Sequence, residues 1–148
     1  MKDDLMATKA HQLIAGVIAR KMREKGYEII SFDGNEKIIS KISLDLPPKI
    51  KKHRPDILGV NFHNKMICIG EAKTENDLKS KRTREEFQDF SEVLINEIDK
   101  KCELIIGIPK KAENLLRKIL LDLNLLNKDN VSYVWVPEEL IYEEEECI

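Results

Sequence analysis

Five consecutive residues, Leu104 to Ile108, carry no polar side chain. A run this short and this apolar, closed by Pro109, reads as a strand in a central position of a sheet. The flanking sequence supplies helices to pack over it. From Leu5 to Lys25 the positions Ala10, Leu13, Ile14, Val17, Ile18 and Met22 follow helical spacing, and Gly26 stands where a helix stop is expected. The spacing of Phe87, Phe90, Leu94 and Ile98 predicts a second helix over 83–100. Leu115, Leu116, Ile119, Leu120 and Leu123 predict a third over 112–126. Extended segments are expected at 27–32, 55–62, 65–73 and 131–136, the middle two joined by a tight turn at His63-Asn64 as a hairpin. After a turn at Asp33-Gly34-Asn35, residues 37–46 predict one more extended piece, which Pro47-Pro48 ends. Residues 74–82 read as a polar connection. The expected class is α/β: one domain over 1–148, with a central mixed β-sheet flanked by helices.

The net charge of -2 looks unpromising for a nucleic-acid partner. Its distribution says otherwise. Residues 47–84 hold ten basic and four acidic side chains, whereas residues 138–148 hold six Glu and no base. A basic island is therefore masked by an acidic tail and a mildly acidic C-terminal half. Within the island, Lys51, Lys52, His53 and Arg54 precede Pro55, and Lys81, Arg82 and Arg84 follow Lys73. Both clusters suit a phosphate backbone. No aromatic residues are interleaved, so a stacking platform for single strands is not indicated. No apolar run approaches the roughly 18 residues of a bilayer span, and Met1–Asp4 does not open a leader peptide. The expectation is a cytoplasmic protein with no membrane partner and with Cys68, Cys102 and Cys147 as reduced thiols.

The chemistry-bearing stretch is Arg54-Pro55-Asp56-Ile57-Leu58-Gly59-Val60 followed by Ile67-Cys68-Ile69-Gly70-Glu71-Ala72-Lys73. Glu71 and Lys73 are two apart on one strand and project from the same face. Antiparallel pairing through the turn brings Asp56 beside them. Two close carboxylates repel, and a divalent cation between them relieves the repulsion. A Lys beside such a site orients a water or stabilises charge on a phosphoryl oxygen.

Pro55-Asp56 with Glu71-Ala72-Lys73 resembles the signature of the PD-(D/E)XK nuclease superfamily, and residues 5–110 resemble its α-β-β-β-α-β order. The resemblance implies a restriction endonuclease-like core, here with an extra C-terminal helix and strand. It implies that Asp56, Glu71 and the Ala72 carbonyl bind Mg²⁺ or Mn²⁺ and that Lys73 positions or activates the hydrolytic water. Many members carry a Gln on the following helix, a position that Gln88 matches. Many carry an acid on the first helix, where this chain offers His11 and Gln12 instead.

Three functions follow as expectations. The first is a Mg²⁺-dependent endonuclease that hydrolyses DNA, double-stranded or branched, without a covalent intermediate. The second is a nuclease fold that binds nucleic acid or protein without cleaving, with a homodimer through the 112–126 helix as one form. The third is an unrelated α/β protein in which Asp56 and Lys73 form a structural salt bridge. DNA versus RNA and the biological role are left open by the sequence.

Overall fold

The computed structural model describes residues 2–33 and 47–141, with side chains from Lys9 onward. The second extended piece expected at 37–46, Cys147 and most of the acidic tail lie outside the described residues.

Helix α1 spans Lys2–Glu24. It ends as the sequence requires. Gly26 takes a left-handed φ of 94°, the Tyr27 N–H donates to the Met22 carbonyl at 3.0 Å and the Gly26 N–H to that of Arg23 at 3.0 Å. Strand β1 (Glu28–Phe32) follows, then β2 (Ile57–Val60) and β3 (Ile67–Ala72), which pair antiparallel in a meander. After β3 come a short helix α2 (Glu75–Leu78), helix α3 (Lys81–Ser91), and a two-stranded ribbon of β4 (Leu94–Ile95) and β5 (Lys100–Lys101). Strand β6 (Glu103–Pro109) then returns parallel to β3. A 3-10 turn leads into α4 (Glu113–Asp122), and β7 (Val131–Val136) lies parallel to β6. The sheet is five-stranded and mixed, in the order β1-β2-β3-β6-β7.

Strand β6 has a neighbour on each side and a helix layer on each face, which explains its unbroken apolar run. Ile105 packs with Ile14, Ile18 and Met22 of α1. Leu104, Ile106 and Ile108 pack on the opposite face with Phe87, Phe90, Leu116, Ile119 and Leu120. The α1 layer lies close to the sheet because Gly70 and Gly107 face it. A Cβ at Gly107 would stand 2.7 Å from Ile14 and Ile18, and one at Gly70 2.7 Å from Met22. The apolar stripe of α4 faces the core: Leu116, Ile119 and Leu120 are buried, and Leu115 and Leu123 are partly so.

Two helices end well before the spacing predicts. The helix expected over 83–100 stops at Ser91, where the Asn130 amide donates to the carbonyls of Ser91 and Cys102, both at 2.9 Å. A side chain from a distant loop takes the helix-ending carbonyl, and β-branched Val93 and Ile95 go on into extended structure. Leu94 is accordingly 50% exposed rather than on a buried helix face. The helix expected to reach Leu126 stops at Asp122, because Asn124 takes φ 61° and the Leu125 N–H reaches back to the Leu120 carbonyl at 2.7 Å. The start of the acidic segment packs on the domain. Ile141, inside the acidic segment, is 6% exposed and belongs to the α1-side core. The Glu138 carboxylate accepts from the Lys111 N–H. The tail is therefore not solvated along its whole length. Cys68 and Cys102 are free and buried, and burial pushes both thiols up, Cys102 to about 11. Among the described residues no helix is long and apolar enough to cross a membrane.

Candidate functional site

The hairpin of β2 and β3 is in register with Ile57 opposite Gly70, which sets Asp56 across from Glu71 at its open end. Two bonds from main-chain N–H groups to the carboxylates tie this end together. The Asp56 N–H donates to Glu71 Oε2 at 2.7 Å, and Asp56 Oδ2 accepts from the Ala72 N–H at 2.8 Å. Lys73, two residues past Glu71, lies on the same face and brings its ammonium 3.5 Å from Glu71 Oε1. Its own N–H continues the parallel ladder to the Gly107 carbonyl at 2.9 Å. The structure thus brings together the three side chains that sequence spacing sets on one hairpin, at the carboxyl ends of β3 and β6, where open α/β sheets place their ligands.

Helix α3 adds a fourth group that the motif does not contain. Glu86 Oε1 lies 2.7 Å from the Lys73 ammonium, and Glu86 is 5% exposed. Thr83, Glu86, Phe87 and Phe90 make up the inner face of the helix at i, i+3, i+4 and i+7. Two caps fix that face. Thr74 caps α2 through a reciprocal pair with Asp77, and Ser80 caps α3 at the Thr83 N–H. The Thr83 hydroxyl also donates to the Asp77 carbonyl at 2.6 Å, which locks α3 to the end of α2. Gln88 is turned elsewhere: its amide donates to Glu92 at 2.7 Å, one turn further along the helix.

The electrostatics follow from burial. Glu71 is 1% exposed; burial pushes its carboxyl well above the usual range, and the Asp56 carboxylate adds to the push. Burial likewise pushes Asp56 up to about 6, against the pull of the Ala72 N–H and the Lys73 charge. For Lys73, burial alone would lower the pKa, but the carboxylates of Glu71 and Glu86 outweigh it and hold the amine above its ordinary value. Three buried or half-buried carboxylates therefore share one ammonium.

On the α1 side, Asp56 opens into a pocket of about 240 Å³. His11, Gln12, Ala15, Phe32, Asp33 and Ala72 complete its lining. Both first-helix residues singled out by the sequence thus stand at the pocket. His11 Nε2 lies 2.7 Å from Asp77 Oδ2. Burial would raise the Asp77 carboxyl, but the bonds from His11 and the Thr74 N–H overcome it and bring it down to about 2. Asp33, which the sequence suggests only as a turn residue, is an additional acid at this wall.

The basic clusters divide. Lys51 and Lys52 are exposed at the tip of a tight turn closed by the Ile50–His53 bridge. His53 is not available to a phosphate backbone. It is 5% exposed, meets Phe90 edge-on and lies 3.4 Å from Asp89. The same Asp89 draws Lys51 to 3.6 Å, and Arg84 stands 3.6 Å from Asp122. Arg54 is half-buried, and its Nε has no hydrogen-bond partner among the described residues. Lys81 and Arg82 are exposed at the start of α3.

Among the described residues no group of three or more His, Cys, Asp and Glu side chains is arranged to hold one metal ion. Mg²⁺ does not ask for such a group. It keeps several waters and takes one or two carboxylates, with substrate phosphate oxygens for the rest. Asp56 and Glu71, each with one carboxylate oxygen left outside the main-chain pairing, are hard oxygen donors of that kind. With all three carboxylates ionised they outnumber the one ammonium, an imbalance that a divalent cation would offset. The donor set fits Mg²⁺ or Mn²⁺. The chain matches no protein-family model, no curated protein and no solved structure.

Proposed function

We propose that the chain is a divalent-cation-dependent nuclease of the PD-(D/E)XK kind that hydrolyses phosphodiester bonds in double-stranded or branched DNA. The observation that carries this reading is the Asp56–Glu71 pair with Lys73 on the same face at the mouth of the β2–β3 hairpin. The topology supports it. Helix α1, a three-stranded antiparallel meander, a helical crossover and a parallel strand follow the restriction endonuclease-like order, with the β4–β5 ribbon inserted and α4–β7 added.

Asp56, Glu71 and the Ala72 carbonyl would hold a divalent cation, whose contribution would be Lewis-acid stabilisation of a phosphodiester oxygen. The protein supplies the rest. Asp56 and Glu71 must be ionised to hold the cation, and main-chain donors fix their orientation. Lys73, flanked by two carboxylates, stays an ammonium. It therefore orients the attacking water and stabilises the charge that develops on the phosphoryl oxygens. Water adds at phosphorus, one P–O ester bond breaks, and the products are a phosphomonoester and a hydroxyl. Lys52, Lys81 and Arg82 are exposed and serve the strand backbone.

A second reading is DNA binding without cleavage. It is favoured by His11 and Gln12 standing at the pocket where the resembled family carries an acid. Incubation of supercoiled plasmid and a four-way DNA junction with protein and Mg²⁺ or Mn²⁺ separates the two. The nuclease reading expects nicking that Asp56→Ala abolishes and EDTA stops. Salt-dependent binding with no nicking in either metal supports the second reading instead.

A further inference from the structure

We infer that Glu86 is the positioning residue for Lys73, the role that fixes where the ammonium points in the candidate site. The inference rests on the nuclease reading for its catalytic meaning and on geometry for its physical content. Lys73 carries a flexible four-carbon stem, so strand β3 alone fixes its Cα and not its Nζ. Two anchors act on the amine. Glu71 approaches only to 3.5 Å, whereas Glu86 approaches to 2.7 Å and takes a charge-assisted hydrogen bond. Glu86 is buried on a helix whose register is set by the Ser80 cap and by the Thr83 hydroxyl bonded to the Asp77 carbonyl. Gln88 bonds to Glu92 and does not compete for the amine. Without Glu86, the nearest described carboxylate to Lys73 is Glu71. The ammonium would collapse onto that residue, and a cation-binding carboxylate would be lost to an internal ion pair.

Two substitutions separate positioning from simple charge balance. Glu86→Asp keeps the charge and withdraws the carboxylate by one methylene. Glu86→Gln keeps the length and removes the charge. A positioning role predicts that both lower kcat for plasmid nicking, by about 10- to 100-fold, since a misplacement of about 1 Å can cost about 100-fold. KM for DNA should change less than about threefold, since the residue does not touch the substrate. In a Lys73→Ala background neither substitution should lower kcat further. A second readout needs no activity: in ¹H–¹⁵N spectra of the metal-free protein, the Lys73 ammonium resonance should be protected from exchange in the native sequence and lost in Glu86→Asp. Should Glu86→Gln fail to fold, Glu86→Asp and the ammonium resonance still decide the matter. Native kcat together with a retained ammonium resonance in Glu86→Asp would overturn the inference. If the native protein does not nick DNA but its Lys73 resonance depends on Glu86, the nuclease reading fails and the positioning geometry stands.

Discussion

Asp56 and Glu71 hold each other across the open end of a hairpin: the main chain of Asp56 donates to the Glu71 carboxylate at 2.7 Å, and the Asp56 carboxylate accepts from the residue after Glu71 at 2.8 Å. Two acids that should repel are thereby fixed side by side. Local hydrogen bonds lessen the electrostatic penalty without removing it, because both carboxyls remain shifted upward by burial. Under the proposed reading, a bound cation would relieve that repulsion beyond what Lys73 already does.

The first prediction concerns pH. Burial raises Asp56 from 3.8 to about 6, so the folded state favours its protonated form. The stabilisation linked to this shift is full below about pH 4 and is lost as pH rises through 6. Asp56→Asn removes that loss. In metal-free buffer the variant should be more stable than the native protein at pH 8, by about 1–3 kcal/mol, and the gap should close near pH 4. Urea melts at the two pH values check this. A variant less stable than the native protein at pH 8 contradicts the electrostatic account.

The second concerns the packing of α1 on the sheet. Gly107→Ala forces a methyl group to 2.7 Å from Ile14 and Ile18, both fully buried. It should destabilise by about 1–3 kcal/mol through overpacking. Thermal unfolding of the variant tests it, and an unchanged midpoint would mean that α1 lies further from β6.

The third concerns the acidic tail. Removal of residues 142–148 takes away four Glu and leaves Ile141 in the core. This truncation should leave stability unchanged and tighten DNA binding at low salt. Removal from Glu138 onward also strips Ile141 and should cost about 2–4 kcal/mol. Equal melting of the two truncated proteins would show that Ile141 does not anchor the chain.

The fourth sorts the basic residues. Alanine at Lys52, Lys81 or Arg82 should weaken DNA binding and reduce the salt slope by about 0.9 for each phosphate that goes unneutralised. Alanine at Arg84, already 3.6 Å from Asp122, should do less. Binding measured over a series of salt concentrations reads both quantities. Equal effects at all four positions would mean that the Arg84–Asp122 pair gives way to DNA.

The sheet and the hairpin are legible in the sequence because apolar strands and turn residues report directly on burial. Leu104–Ile108 names its own central place, and the period of two puts Glu71 and Lys73 on one face. Helix ends are less legible where a distant group makes them. No local signal at Ser91 announces that Asn130 will take its carbonyl. Glu86 lies within reach of sequence reasoning: Thr83, Glu86, Phe87 and Phe90 share one helical stripe, and a charged residue on a core-facing stripe asks for a partner. His53 does not, because a basic cluster looks uniformly solvated, whereas a tight turn at Lys51 folds the ring inward against Phe90.

Whether Asp56 and Glu71 share a cation is read without any assay of activity from a crystal of the protein soaked in Mn²⁺, with the ion located by its anomalous scattering. A peak is expected about 2.0–2.3 Å from one oxygen each of Asp56 and Glu71, absent in Asp56→Asn. Crystals at millimolar Mn²⁺ with no peak between these carboxylates would show that the pair is not a metal site.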